Sequence, residues 1–159
     1  MKKKKSVDMK RQAKPKKASS ARAQKSWTEK VKDPTKTFVV KKLDKDFADM
    51  PAGAQMLIAT PQIVEDYLRH IPKGKSVTLQ TLRNDLAHDY RAEYTCPVTT
   101  GIFLRIVSEA AHEQLTEGKP IGKVAPFWRV VGPKSALNKK LSFGEGFVKK
   151  QRRAEGIED

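Results

Sequence analysis

The side chains best suited to nucleophilic or metal chemistry in this 159-residue chain are one cysteine and three histidines. Cys96 lies eight residues after His88 and sixteen before His112, and neither offset is typical of a catalytic pair. A reactive thiolate needs a neighbouring base or cation. We therefore expect Cys96 to be a buried residue or a helix cap, with alkyl acceptor as the alternative. The histidines, including His70, also lack metal-ligand spacing, so we expect no metal and no other cofactor.

Positive charge is the second chemical feature of the chain. There are 33 Lys and Arg against 18 Asp and Glu, a net charge of +15 with a pI near 10.0. Residues 1–37 hold +11 of this charge and residues 38–159 hold +4. The first segment has few apolar residues, which predicts a tail that is disordered when free. Such an arm either follows a phosphate backbone or only keeps the protein soluble.

The composition also limits the compartment and the class of partner. No run of eighteen apolar residues exists, so we expect no transmembrane helix and no membrane partner. No apolar core follows the N-terminal lysines, so we expect no secretory signal. A single cysteine cannot form an internal disulfide, which suits a reducing cytoplasm. The natural partner of such a basic surface is a polyanion, and we expect a cytoplasmic, nucleoid-associated protein.

Cap residues and apolar spacing predict three helices after residue 59. Thr60 caps a first helix with Pro61 at its first position, and Thr78 caps a second. A third helix is predicted from Pro97 to about Leu115, and Gly118 ends it. The sequence Ser-Phe-Gly-Glu at 142–145 resembles a capping box before a last helix.

Strand patterns complete the predicted fold. A short strand is predicted in residues 37–43, and two β-like pieces are predicted at 121–124 and 127–131. Residues 134–140 are predicted to form a loop. Three helices followed by short strands indicate an α+β, mostly helical fold, a winged helix-turn-helix whose third helix meets nucleic acid. The predicted division is a basic tail at 1–37, a linker with a short strand at 38–59, and a domain at 60–157.

Four segments of this domain resemble the alkylguanine-DNA alkyltransferase family. IPKGKSVT at 71–78 is similar to the entry of the family's first DNA-binding helix, and VAPFWRVV at 124–131 to its Pro-Cys-His-Arg-Val active-site strand. LSFG at 141–144 falls where the family has Tyr-Ser-Gly-Gly, and KQRRAEG at 150–156 falls on its last helix. The resemblance covers about residues 60–157 and implies a DNA-binding winged helix.

The chain departs from the family at the reactive residues. Phe127 stands at the position of the cysteine that takes the alkyl group from guanine, and Trp128 stands at that of the neighbouring histidine. Glu155 keeps the position of the glutamate that bonds this histidine in the family. A benzyl side chain cannot accept an alkyl group, so the chain is closest in kind to the non-catalytic alkyltransferase-like proteins. Those usually keep the histidine, so Trp128 is a further departure.

The resemblance also implies residues that face DNA. Arg105 is the match for an arginine that fills the gap left by an extruded base, and its alternative is a surface arginine paired with Glu109. Leu79 occupies the place of a tyrosine that helps to rotate the nucleotide, which weakens base flipping. Thr99 and Thr100 begin the third helix, where hydroxyls and free N–H groups suit phosphate oxygens, or else serve as ordinary caps.

Four further DNA-binding candidates come from the matched strand and loop. Phe127 and Trp128 would either stack on a base or fill the family's base pocket. Arg129 matches an arginine that is mainly structural in the family, and Ser142 falls on the Tyr-Ser-Gly-Gly motif.

Three functions follow from these observations. The first is a monomeric, non-enzymatic protein that binds double-stranded DNA, alkylated or distorted, in repair. The second is a general nucleic-acid binder of the nucleoid or of RNA, in which the fold is only a scaffold. The third is an active methylated-DNA–cysteine methyltransferase, which would need an unrecognised nucleophile.

Overall fold

A computed structural model describes residues 24–158 of the chain. Its elements, in chain order, are α1 (Trp27–Val31), β1 (Val39–Lys42), β2 (Gln55–Ile58), α2 (Pro61–Arg69), α3 (Leu79–Asp89), β3 (Tyr94–Thr95), α4 (Pro97–Thr116), two 3-10 helices (Ile121–Lys123 and Phe127–Arg129), α5 (Ala136–Lys140) and α6 (Gly146–Ala154). The fold is α+β and mostly helical, as predicted. Among the helices of residues 24–158, none has the length and apolarity that crossing a bilayer requires.

The three predicted helices form where the cap residues place them. The Thr60 side chain accepts from the Ile63 amide, and Pro61 occupies the first turn of α2. The Thr78 side chain accepts from the Thr81 amide at the start of α3. Helix α4 begins at Pro97 and continues for 20 residues. The Thr60 and Thr78 side chains bind first-turn amides that have no partner within the helix, which fixes the starts of α2 and α3.

The small sheet makes residues 38–59 part of the fold. β1 pairs antiparallel with β2, with Val40 opposite Leu57, and β2 pairs parallel with β3, with Leu57 opposite Thr95. Met56 and Leu57 of β2 are buried. The structure therefore differs from the predicted linker, although the short strand predicted at 37–43 is present as β1. No alternating pattern marks β2, because both of its central side chains are buried.

The two strands predicted after the third helix are wrong, because both segments form 3-10 helices. The Phe127 carbonyl accepts from the amides of Val130 and Val131, which closes a local turn. All residues from Val124 to Trp128 are buried, whereas a wing strand with one solvated face would alternate. The winged helix thus stays a prediction, since no strand follows α4 within the described part of the chain.

Two predictions for the C-terminal quarter are also corrected. The loop predicted at 134–140 contains α5, which the Ser135 side chain caps through the Asn138 amide. The predicted capping box is wrong, because Glu145 caps α6 without a side-chain bond. The buried Asn138 amide group donates to the carbonyls of Pro133 and Glu145, so one side chain closes this segment.

Helix α1 moves the start of the compact fold toward the N-terminus. Ser26 and Glu29 form a capping box, and Val31 is only 2% exposed within the main core. The Glu113 carboxylate of α4 accepts from the Trp27 and Thr28 amides. The predicted tail therefore ends before residue 26 rather than at 37. The rest of that prediction, residues 1–23, lies outside the described residues.

Candidate nucleic-acid interface

A groove runs along the first half of α4, between α1 and α5. It encloses about 600 Å³ and is lined by Trp27, Lys30, Val98, Gly101, Ile102, Arg105, Ile106, Leu137 and Lys140. We call this the α4 groove. Val98 and Ile102 lie one turn apart and are 56% and 52% exposed. Large apolar side chains open to solvent on a surface groove are typical of a binding surface.

The charge of the α4 groove has one sign. Lys30 comes from α1, Arg105 from α4 and Lys140 from α5, and no Asp or Glu is among the lining residues. Three cations from three elements therefore converge on an apolar floor. Such an arrangement raises the local concentration of an anionic partner.

Arg105, the arginine named from the family resemblance, lies on the side of α4 that faces the groove. Its Nε is 3.8 Å from a Glu109 carboxylate oxygen, and its guanidinium carbon is 5.8 Å from the Trp27 ring centroid. The Nε atom is buried and has no hydrogen-bond partner among the described residues. Because the side chain is still 41% exposed, it is available to a ligand in the groove.

The two threonines at the start of α4 differ in their surroundings. Thr100 is buried, and its hydroxyl donates to the Cys96 carbonyl at 2.6 Å. The Thr100 side chain therefore bonds back within the first turn of α4, and it serves neither as a cap nor as a phosphate contact in this conformation. The Thr99 hydroxyl is also shielded, and it has no hydrogen-bond partner within residues 24–158.

Phe127 and Trp128 lie in the core, at 0% and 2% exposure. Phe127 stacks on Phe147 with ring centroids 5.6 Å apart and meets Phe143 edge-on. His112 stacks on Phe143 at 4.0 Å. In this conformation the rings fill the space that the resemblance assigns to a base, and a nucleobase could reach them only if the core opened.

Glu155 joins three of the four segments that carry the family resemblance. Its carboxylate accepts from Trp128 Nε1 at 2.8 Å, from Arg129 Nε and Nη2 at 2.9 and 2.8 Å, and from the Gly74 amide at 2.9 Å. Burial alone would raise the pKa of Glu155. The hydrogen bonds from Arg129, Gly74 and Trp128 outweigh burial and lower the pKa to about 2.

The two remaining polar candidates also serve the fold. Arg129 Nη1 donates to the Ile71 carbonyl, so this side chain joins Ile71 to Glu155. The Ser142 amide and hydroxyl both donate to Glu109, at 2.7 and 2.5 Å. Ser142 therefore binds Glu109 of α4 and, contrary to the sequence prediction, does not cap the last helix.

Cys96 is 4% exposed and precedes α4 as its cap residue. It packs in a small apolar cluster with Leu43, Met50, Ala54 and Met56. This cluster is separate from the main core that holds Phe127. The thiol therefore lies away from segment 124–131, which carries the resemblance to the family's active-site strand.

The segment 119–153 concentrates positive charge that the overall composition hides. It contains ten Lys and Arg and a single acid, Glu145. Eight of its cations are exposed, and none of these eight forms an ion pair within residues 24–158: Lys119, Lys123, Lys134, Lys139, Lys140, Lys149, Lys150 and Arg153. Residues 38–118, by contrast, carry nine cations and eleven acids.

Sequence reasoning missed most of the α4 groove. It named Arg105 but not Trp27, Lys30, Ile102 or Lys140. Trp27 gave a signal, because it is the one large apolar side chain in an otherwise polar segment. The lysines gave none, since neighbouring lysines have the same local sequence character.

No protein-family model, curated protein or solved structure matches this chain.

Proposed function

We propose that this protein binds DNA without catalysing alkyl transfer, through the α4 groove and the basic segment 119–153. The observation that carries the proposal is the groove itself, where three cations from three elements flank exposed Val98 and Ile102 with no acid in the lining. Phosphate contacts supply most of the affinity of such a surface, and apolar side chains can contact bases.

The absence of alkyl transfer is supported by the positions of Phe127 and Cys96. Phe127 fills the place of an acceptor cysteine with a side chain that has no nucleophilic atom. Cys96 is 4% exposed and is buried in a different cluster from Phe127. A thiol without access to substrate cannot attack an alkylated base.

The alkyltransferase-like assignment is supported by the way its motifs meet. Segments 71–78, 124–131 and 150–156 are far apart in sequence, and Glu155 of the last segment binds residues of the other two. We retain α2, α3 and α4 as the helices of a winged helix-turn-helix, with the two 3-10 helices at the place of the wing. The Trp128 indole then gives Glu155 the hydrogen bond that a histidine gives in the family.

A binding experiment with intact mass measurement tests this function. Wild type and Arg105→Ala are titrated with a duplex containing alkylated guanine and with the same duplex undamaged. Arg105→Ala is expected to weaken binding to the lesion duplex by roughly tenfold to a hundredfold, the scale of a base-directed contact. Lys41→Ala removes an exposed cation on β1, outside the groove, and serves as the matched control.

The outcomes separate the candidate functions. Equal affinity for both duplexes with a steep salt dependence would favour the second candidate, a general nucleic-acid binder. The eight exposed cations of 119–153 are the observation that supports this candidate. A stoichiometric mass gain on Cys96 would identify an active alkyltransferase. Failure to bind any duplex would contradict the proposed function.

A further inference from the structure

We propose that the α4 groove binds a single-stranded segment of nucleic acid, with one unpaired base stacked on Trp27. This inference rests on the proposed function and adds the class of ligand that the groove takes. A groove that joins cations to an aromatic ring is the usual design for single strands, because phosphates and base faces are recognised together.

The helix that carries Trp27 is anchored to α4. The Trp27 amide and that of Thr28 donate to Glu113, at 3.2 and 2.9 Å, and the Thr28 hydroxyl donates to the same carboxylate. The Lys30 ammonium lies 4.3 Å from the ring centroid. The Trp27 ring packs partly against the core, lines the groove, and has a flexible cation beside it.

A base can take the place of that cation. A cation–π contact at a partly exposed site is weak, and a lysine side chain moves at little cost. When a base stacks on Trp27, the Lys30 ammonium is released to the phosphate on the same strand. Ring and ammonium therefore act on one nucleotide.

The rest of the groove suits the next nucleotides. Val98 and Ile102 present apolar surface to base faces and sugars, and neither can hydrogen-bond a base edge. Lys140 lies beside them as a further phosphate partner, and Arg105 keeps the base-directed role proposed above. Recognition of this kind tolerates any sequence, because every base has a flat face.

Stacking on Trp27 selects a single strand over a duplex. In a duplex both faces of an interior base are covered by neighbouring base pairs, so a protein ring can reach one only after unstacking. An unpaired strand carries the same phosphates with its base faces open. The lining of the groove therefore fits an unpaired strand. An intact duplex would contact the cations of the lining but would offer Trp27 no open base face.

Tryptophan fluorescence of the full chain gives a direct test. The chain has two tryptophans, and Trp128 is buried and bonded to Glu155, so quenching by an oligonucleotide reports Trp27. A twelve-nucleotide oligothymidine is expected to quench wild type, and the matching duplex is not. Trp27→Leu is expected to abolish quenching and to weaken binding of oligothymidine by roughly fivefold to a hundredfold.

Two further variants keep the test independent of folding. Phe38→Leu removes another exposed aromatic ring, outside the groove, and is expected to bind as wild type does. Lys30→Gln with Lys140→Gln changes two surface side chains, and it is expected to lower the slope of log K against log salt by about one to two units.

Unchanged oligothymidine affinity in Trp27→Leu would overturn the inference, and so would equal quenching by the duplex. Competition by polyglutamate as strong as that of oligothymidine would also overturn it, because the groove would then take any acidic chain. Binding to duplex without binding to oligothymidine defeats the inference and leaves the proposed function standing. Loss of binding to both contradicts the proposed function as well.

Discussion

Glu155 shows how one carboxylate can hold distant segments together. It receives four hydrogen bonds, from Trp128, Arg129 and the Gly74 amide. Gly74 has a φ of +84°, and a Cβ there would lie 3.4 Å from the Glu155 carbonyl oxygen. A glycine allows this backbone conformation without strain, so its amide can reach the carboxylate.

We predict that Glu155→Gln lowers the free energy of unfolding at pH 7 by about 2–4 kcal/mol. The pKa of Glu155 falls from an ordinary 4.5 to about 2 on folding, so its contribution is complete above pH 4.5. It is lost as the pH falls from 4.5 toward 2, because protonation then favours the unfolded chain. Urea unfolding at pH 7 and pH 3 should show the gap between variant and wild type narrowing. Glu158→Gln, at an exposed position, is the control, and a gap independent of pH would contradict the prediction.

Phe127 offers a second test at a single residue. Because its ring is fully buried among aromatic neighbours, Phe127→Leu should cost about 1–2 kcal/mol of stability and leave the affinity of the folded protein unchanged. Urea unfolding and oligonucleotide titration of the same sample measure both quantities. A loss of affinity with unchanged stability would mean that the ring leaves the core and stacks on a base.

At the scale of elements, α1 is a helix of only five residues that the Glu113 carboxylate of α4 anchors. Burial of Glu113 opposes ionisation, but hydrogen bonds from Thr28, the Trp27 amide and Ser26 outweigh it and hold the pKa of Glu113 below its usual range. The charged carboxylate accepts more strongly than a neutral amide oxygen would. The contribution of Glu113 to docking of α1 is therefore complete above the usual glutamate pKa and declines as the pH falls below it, because protonation then favours the undocked state.

We predict that Glu113→Gln loosens α1 by about 1–2 kcal/mol. Hydrogen exchange at the amides of Lys30 and Lys32, which bond within α1, should become roughly fivefold to thirtyfold faster while the amides of α4 keep their rates. Glu117→Gln changes an exposed carboxylate near the end of α4 and should alter neither. Equal acceleration throughout α4 would show that Glu113 supports the whole domain and not α1 in particular.

The helices were predictable because their signals are local. Thr60 and Thr78 mark helix starts through side-chain bonds that span three residues, and Pro97 marks one because its fixed φ suits the first helical turn. The segments at 121–131 were mispredicted because Val and aromatic residues favour strands in general, whereas local backbone bonds close turns here. The Lys123 amide donates to the Pro120 carbonyl, and the Val130 and Val131 amides donate to the Phe127 carbonyl. Ser142 was assigned to its own helix because its true partner, Glu109, lies 33 residues away in sequence.

The site was predicted only where one helix determines it. The position of Arg105 on the exposed side of α4 follows from helical spacing. The α4 groove does not, because Trp27, Arg105 and Lys140 belong to three elements whose packing no local pattern encodes. The family resemblance covered residues 60–157 and so gave no information on α1, which supplies one side of the groove.

At the scale of the whole molecule, charge is divided into three zones. Residues 1–23 carry ten cations and one acid, residues 38–118 are slightly acidic, and residues 119–153 are again strongly basic. The α4 groove takes its cations from Lys30, which follows the first zone, from Arg105 in the second zone and from Lys140 in the third. A long anionic strand could therefore extend from the groove along basic surface in either direction.

The last prediction concerns the N-terminal zone. Deleting residues 1–23 removes a net charge of +9 and leaves Ser26, Trp27 and Val31 in place, so the domain should unfold at the same urea concentration as the full chain. The slope of log K against log salt should fall by several units, because each lost phosphate contact contributes about 0.9. Deletion of residues 1–36 would also remove α1, and with it one side of the α4 groove. The longer deletion would therefore not separate the effect of lost charge from the effect of a damaged fold. A chain of full length with the ten cations changed to glutamine is the matched control, since it separates charge from length. If both shortened and neutralised chains keep the slope of the wild type, the phosphate contacts come from segment 119–153 and the α4 groove.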